Sequence, residues 1–122
     1  GGGSAVHFSN KDVKHTFPDG KVVYYYSETR TTHTTQPDGL EMFEFSNGQR
    51  EKHFPNGTKE ILFPDGTLKN IHTNKEEESI FPDGTVQRIF IDGRRVIEFT
   101  NGLKETVSPS GSKVRTFNSP HE

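Results

Sequence analysis

The sequence predicts an all-β fold, a single-layer, open, extended antiparallel β-meander of about 12–13 short strands with both faces exposed to solvent. A tetrapeptide, Phe-Pro-Asp-Gly or a close relative, recurs along the chain with a period of nine. The segments between its copies are rich in Phe, Ile, Val, Thr and Tyr, which strands prefer, and lack the apolar spacing of a helix. Only 27% of the residues are hydrophobic, so the core is expected to be thin.

The repeat itself predicts tight turns. Its clearest copies cover residues 17–20, 54–57, 63–66 and 81–84. Proline presets φ for the first central position, Asp or Asn suits the second, and Gly accepts the positive φ that follows. A type I turn followed by a left-handed Gly joins the two strands of a hairpin with a bulge. Nine residues therefore provide one strand and one turn.

Three further turns are predicted by counting, although none of them has a glycine. Lys11 and Lys75 fall in glycine positions, nine residues from Gly20 and Gly84 respectively. The nineteen residues between Gly20 and Gly39 leave room for one turn near Thr29-Arg30 with a one-residue insertion.

The hairpin register predicts which residues share a face of the sheet. Phe43, Phe45 and Glu51 fall on one face, which also carries lysine, glutamate and arginine residues. The other face carries Leu62 and Arg88, so neither face is apolar throughout. Because a sandwich or barrel needs one apolar face, the sheet is predicted to stand alone, stabilised by cross-strand pairs.

Residues 6–117 are expected to form this domain. Residues 1–5 are interpreted as a linker or cloning scar because they begin with three glycines and a serine. Residues 118–122 are interpreted as a flexible tail.

Composition argues against several classes of function. The net charge is −2, with both signs interspersed, and no apolar run approaches the roughly 20 residues of a membrane span, so neither nucleic acid nor a membrane is an expected partner. The chain has no cysteine and its six histidines form no close pair, so no metal site or cofactor is predicted. No nucleophile elbow is present, so no catalytic residue is predicted and the chain is not expected to be an enzyme.

The turn aspartates invite comparison with calcium-binding β-rolls. Those repeats need paired glycines and several oxygen ligands for each ion. Each repeat here offers one turn carboxylate, often replaced by Asn. Turn formation explains these residues without a metal.

The N-terminal third departs from the repeat. Residues 22–26 are the densest apolar stretch, and the uncharged run 31–35 follows. Tyr24 and Tyr26 alternate onto one face. Two interpretations stay open: a better-packed part of the sheet, or an exposed aromatic groove for a proline-rich peptide in the polyproline II conformation.

Four segments carry a family resemblance: 24–26 (Tyr-Tyr-Tyr), 31–41 with its Thr-Thr-His-Thr-Thr block, 51–57, and 78–85. They resemble the G-box, or TCP, domain of CPAP-type centriole-assembly proteins and of T-complex-protein relatives. The resemblance covers nearly all of residues 6–117. It implies a single-layer antiparallel sheet and a scaffold role in centriole duplication, at the centrosome or centriole in the cytoplasm and cytoskeleton.

The resemblance also implies a partner and a binding site. The partner is a short proline-rich motif of a STIL-type (in insects, Ana2-type) centriolar protein. The family's binding positions carry over onto Phe8, Tyr24, Phe45 and Glu51, and Phe43 joins them because it shares the predicted face of Phe45 and Glu51. The alternative function is edge-to-edge self-association through the end strands near Val6-Phe8 and Val114-Phe117.

Overall fold

The structure is a computed structural model that describes residues 2–117. The chain divides into two compact units, Gly1–Pro64 and Asp65–Glu122, which are described one at a time. Over the described residues every regular element is a β-strand. The predicted tail, 118–122, lies outside the described residues.

The first unit is an antiparallel meander in which each strand pairs with the next along the chain. Its strands are β1 (Ser4–His7), β2 (Val13–Thr16), β3 (Val22–Tyr26), β4 (Thr31–Thr35), β5 (Glu41–Glu44), β6 (Arg50–His53) and β7 (Lys59–Leu62). Ser4 and Ala5, which the sequence assigned to a linker, lie in β1 opposite Thr16 and His15.

The second unit repeats the same arrangement. Its strands are β8 (Leu68–Ile71), β9 (Glu77–Ile80), β10 (Val86–Ile89), β11 (Arg95–Glu98), β12 (Leu103–Val107) and β13 (Lys113–Phe117). Among the described residues the only buried apolar side chains are Val96 and Val107, and both lie in this unit. The all-β antiparallel meander of 12–13 strands, thin and open to solvent, is confirmed.

The turns have the predicted geometry. In the first clear copy the amide of Gly20 donates to the carbonyl oxygen of Phe17 at 3.0 Å, and the Phe17 amide donates to the carbonyl of Lys21 at 2.8 Å. The carboxylate of Asp19 accepts the Lys21 amide at 2.9 Å. These three bonds define a type I turn with a glycine bulge, closed by the aspartate side chain.

The three turns without glycine are also confirmed. Lys11, Arg30 and Lys75 have φ angles of 76°, 56° and 78°, and they are the non-glycine residues with positive φ in the described chain. An L-residue pays roughly 1–2 kcal/mol for this conformation. The repeat therefore imposes its backbone even where the sequence does not supply the residue that suits it.

Candidate functional site

Residues from four neighbouring strands of the first unit form one row across the sheet. Tyr24 lies opposite His33, His33 opposite Phe43, and Phe43 opposite Glu51. Directly opposed residues of an antiparallel pair share a face, and Phe45 follows Phe43 by two residues onto the same face. The predicted shared face of Phe43, Phe45 and Glu51 is confirmed, and the register across the Arg30 turn adds Tyr24 to it.

Aromatic rings cluster at the N-terminal end of this face. The ring of Tyr24 lies 5.8 Å from that of Phe8 and 4.4 Å from that of Tyr26, measured between centroids. Phe8 is 41% exposed and Tyr26 is 40% exposed, whereas Tyr24 is half-buried between them. Tyr24 therefore anchors a small aromatic surface that remains open to solvent.

A buried carboxylate fixes the position of Tyr24. The Tyr24 hydroxyl donates to Oδ2 of Asp12 at 2.8 Å, and the Ser27 amide donates to Oδ1 at 2.8 Å. The Ser27 amide bond is the largest cause that lowers the pKa of Asp12, with Tyr24 and Asn10 contributing in the same direction. The same hydrogen bond to Asp12 raises the pKa of Tyr24. Asp12 is only 7% exposed, so its carboxylate is satisfied within the sheet and is largely shielded from solvent.

A second aromatic group surrounds Phe43. The His33 ring stacks on it at 4.3 Å with an interplanar angle of 6°, and the His53 ring packs at 4.8 Å. The Phe45 ring follows at 6.2 Å, nearly parallel. Phe43 is thus enclosed by its neighbours, and Phe45 forms the end of the stack.

The carboxylate of Glu51 is held beside this stack. Its Oε2 accepts a hydrogen bond from Nε2 of Gln49 at 2.8 Å, and its Oε1 lies 2.9 Å from Nε2 of His53. The side chain keeps 19% of its surface exposed. Each carboxylate oxygen has two lone pairs, so Glu51 is oriented by the protein and still has capacity to accept a bond from a ligand.

A groove of about 400 Å³ lies beside Phe45, between the β3–β4 loop and the β5–β6 turn. It is lined by Thr29, Thr31, Phe45, Ser46, Asn47 and Gln49. All six belong to the first unit, in the region where the repeat is most altered.

Sequence reasoning missed several members of this site. Nothing in the sequence pairs Asp12 with Tyr24 and Ser27, because the contacts span 12 and 15 residues and Ser27 lies in the inserted loop. His33 and His53 were considered only as metal ligands, among the six histidines that form no close pair. Their alternation with Phe43 across neighbouring strands was the available signal.

The turn aspartates use their carboxylates on their own backbone. In each case Oδ1 accepts the amide two residues on, and the aspartates are Asp19, Asp38, Asp65, Asp83 and Asp92. The amide of Thr67 is the largest cause that lowers the pKa of Asp65, and the amide of Thr85 does the same for Asp83. The interpretation of these residues as turn formers is confirmed.

Two kinds of feature are absent from residues 2–117. No group of three or more His, Cys, Asp or Glu side chains in this range is arranged to hold a metal ion. Nor does the same range include a helix with the length and apolarity needed to span a membrane.

Comparison with known proteins identifies relatives of this sheet. Residues 37–70 and 73–107 match the family described as T-complex protein 10 C-terminus. The mouse (Mus musculus) centrosomal P4.1-associated protein is 61% identical over 49 residues, which are 40% of this chain and 4% of that protein. The chain therefore spans a small part of the length of this relative.

Two solved structures have the same fold. One is the TCP10 domain of Danio rerio CPAP in complex with a peptide of Danio rerio STIL (TM-score 0.79, 45% identity, covering 94% of this chain and 68% of that one). The other is the TCP domain of Drosophila melanogaster SAS-4 in complex with a proline-rich motif of Ana2 (TM-score 0.75, 34% identity, 98% and 73%). Since the family match covers more than half of the chain and the sheet is shared at these identities, this chain belongs to the T-complex protein 10 C-terminus family.

Proposed function

We propose that this chain is a non-catalytic interaction domain that binds a proline-rich segment of a STIL- or Ana2-type centriolar protein. The observation that carries the proposal is the single face on which Tyr24, Phe43, Phe45 and Glu51 meet, with Phe8 stacked beside Tyr24. Half-exposed rings beside a fixed carboxylate are suited to a ligand that offers flat apolar rings and a few polar groups.

The spacing of the row suits a polyproline II helix. Tyr24 on β3 and Phe43 on β5 are two strands apart, which is about 10 Å at ordinary strand spacing. A polyproline II segment rises about 3.1 Å per residue with three residues per turn. A polyproline II ligand that lies across the strands therefore places residues three apart against the two aromatic groups, one after the other.

The relatives support the same partner class. The zebrafish and fly domains were solved with a STIL peptide and with a proline-rich motif of Ana2. The mouse relative is named as a centrosomal protein. We therefore propose that this chain acts at the centriole as a scaffold.

Alanine substitution of the two best-placed rings tests the proposal. Tyr24→Ala and Phe45→Ala are each expected to weaken binding of an Ana2-type proline-rich peptide by about 1–3 kcal/mol, the range for interface anchors. Phe99→Ala is the matched control, since Phe99 is a partly exposed ring (36%) in the second unit. Titration calorimetry gives the affinities, and circular dichroism checks that β structure is retained. Unchanged affinity in both variants would refute the proposal.

Self-association through the end strands is the second candidate. Every residue of β1 and of β13 is exposed. Within the described residues β1 pairs with β2, and β13 pairs with β12. Exposed strand edges template further pairing, although the cationic Lys113 and Arg115 of β13 oppose it. A molar mass by light scattering that stays monomeric at high protein concentration would exclude this candidate.

A further inference from the structure

The last turn of the second unit is built largely from serine. It reads Ser108-Pro109-Ser110-Gly111-Ser112, whereas the clear copies of the repeat have phenylalanine before proline and Asp or Asn after it. The turn keeps the geometry of the others. The Gly111 amide donates to the carbonyl oxygen of Ser108 at 2.9 Å, and the Ser108 amide donates to that of Ser112 at 2.8 Å. The turn therefore forms without the side chains that the repeat uses elsewhere.

The hydroxyl groups of these three serines lie close together. Oγ of Ser108 lies 2.8 Å from Oγ of Ser110 and accepts a hydrogen bond from the Ser112 amide at 3.1 Å. Oγ of Ser110 lies 3.5 Å from Oγ of Ser112. Ser108 is partly exposed, and the four residues that follow it are exposed. A group attached to Oγ of Ser108 would therefore lie among several hydrogen-bond donors at an accessible turn.

A cation lies next to Ser108 on the neighbouring strand. Arg95 is opposite Val107 in the register of β11 and β12. One residue nearer the margin of the sheet, Arg94 is therefore opposite Ser108. Directly opposed residues share a face, with Cβ atoms about 4.5–5.5 Å apart. This separation is within the reach of an arginine side chain.

The two turns that carry Arg94 and Ser108 are also in contact. A Cβ atom added to Gly93 would lie 3.5 Å from Cβ of Pro109. Arg94 is exposed, and Cζ of its guanidinium lies 4.3 Å from the centroid of the Phe90 ring. None of the ion pairs within the described residues includes it. The charge of Arg94 is therefore available to an anion at position 108.

We propose that Ser108 is a phosphorylation site for a proline-directed protein kinase and that its phosphate pairs with Arg94. Kinases of this class act on a serine or threonine followed directly by proline, which Ser108 and Pro109 provide. Oγ of Ser108 forms a bond to the γ-phosphorus of ATP, the bond from that phosphorus to the bridging oxygen breaks, and ADP leaves. The hydroxyl proton passes to the catalytic aspartate of the kinase. The inference is independent of the peptide site, since every residue it uses lies in the second unit.

The phosphate would stabilise the last hairpin of the sheet. It adds about −1.5 to −2 charges at pH 7 and three acceptor oxygens, and arginine binds phosphate through two parallel hydrogen bonds. Every residue of β13 is exposed, so the hairpin of β12 and β13 opens readily and gives the kinase an extended substrate. Once added, the phosphate links this hairpin to the turn between β10 and β11. Phosphorylation thereby makes the C-terminal hairpin harder to open.

Phosphorylation in vitro tests the site. The chain carries Ser119→Ala, which removes the other Ser-Pro pair of the sequence, and is incubated with a purified proline-directed kinase and ATP. Fragmentation mass spectrometry should place the phosphate on Ser108, and Ser108→Ala should lower incorporation at least about tenfold. Ser110→Ala is the matched control, because Ser110 lies in the same turn but does not precede proline, and it should be phosphorylated like the parent chain. No phosphate on Ser108, while a Ser-Pro reference peptide is phosphorylated, would overturn the site.

Phosphoserine placed at position 108 by genetic code expansion tests the pairing without the kinase. The melting temperature should rise by roughly 3 °C at low salt and by less at high salt, and hydrogen exchange of the Ser112 amide should slow about tenfold. Both effects should disappear in Arg94→Gln, which removes the charge that the phosphate pairs with. Arg95→Gln is the matched control, since Arg95 lies on the opposite face, and it should keep both effects. Equal effects of phosphoserine in the native chain and in Arg94→Gln would overturn the pairing.

Discussion

Contacts between aromatic rings are concentrated in the first unit, whereas in the second unit Lys or Arg side chains pair with Glu on neighbouring strands. The six ring pairs found among the described residues all lie in the first unit, and Phe43 takes part in three of them. In the second unit Arg88 contacts both Glu78 and Glu98, Lys69 contacts Glu77, and Arg115 contacts Glu105.

The difference teaches how one repeat serves two purposes. Charged pairs on a wet sheet specify register but present nothing that a peptide prefers over water. Half-exposed rings also specify register, and they keep apolar surface available for a ligand. The unit that contains the Arg30 turn is therefore also the one that keeps aromatic surface exposed.

The largest expected effect concerns the turns, which both units share. Gly39 has φ 94°, and a Cβ atom there would lie 3.2 Å from Cγ of Pro55. Gly39→Ala is expected to lower the free energy of unfolding by about 2 kcal/mol, from backbone strain and crowding together.

Lys75→Gly is the converse change in the second unit and should raise the free energy of unfolding by a few tenths to about 1 kcal/mol, since relief of strain exceeds the added chain entropy. Urea denaturation measures both. If alanine is tolerated at position 39, turn packing does not hold the first unit together.

The next largest effect tests the hydrogen bonds of Asp12, which hold the aromatic region of the first unit in place. In Asp12→Asn one oxygen becomes an N–H donor, so either the Tyr24 hydroxyl or the Ser27 amide loses its acceptor. The melting temperature should fall by roughly 5 °C, and the pKa of Tyr24 should return towards its ordinary value. Asp19→Asn is the control, because the Oδ1 of an Asn in an exposed turn accepts the same backbone amide bond, as Oδ1 of Asn47 accepts the Gln49 amide.

The pKa of Asp12 also predicts how the stability of the folded chain depends on pH. The Ser27 amide lowers the pKa of Asp12 in the folded chain. Its contribution to stability is therefore complete above the ordinary carboxyl pKa and is lost as pH falls through the lowered value. Thermal melts between about pH 5 and pH 3 should show less acid destabilisation in Asp12→Asn than in the native chain. Parallel losses in both proteins would show that Asp12 does not control this region.

The smallest effect tests the ion pairs of the second unit. Nε of Arg88 lies 3.1 Å from Oε2 of Glu78, and its side chain is 40% exposed. Because solvent screens such pairs, Arg88→Ala is expected to cost about 0.5–1 kcal/mol at low salt and less at high salt. Denaturation in both conditions measures the difference. A deficit that persists at high salt would indicate that packing of the arginine stem, and not charge, stabilises these strands.

Most of the fold was accessible from the sequence because its information is local. A turn needs four residues, and a period of nine then fixes the position of every strand, including those that follow Lys11 and Lys75. The face of each residue follows from the turn type, which placed Phe43 with Phe45 and Glu51. The first strand begins at Ser4, earlier than predicted, since glycine and serine give no sign of pairing.

The site was less accessible because its contacts are not local. Asp12 accepts a hydrogen bond from Ser27, the first residue of the loop that breaks the repeat, and no pattern rule gives the path of that loop. The groove beside Phe45 is lined by the β3–β4 loop and the β5–β6 turn, which are separated in the chain by two strands, so no local pattern predicts it.

The packing of Pro55 on Gly39 constrains how such sheets can lengthen or shorten in evolution. The unit that repeats in space is two hairpin turns, about eighteen residues, because Pro55 covers Gly39 and not the turn between them. Gain or loss of a single nine-residue copy would move every later turn to the opposite margin and reverse every later strand. Copies are therefore expected to be gained and lost in pairs. An odd number inserted between these two turns would place the Arg30 loop and the Phe45 turn on opposite margins of the sheet, and would remove the groove without changing any residue that lines it.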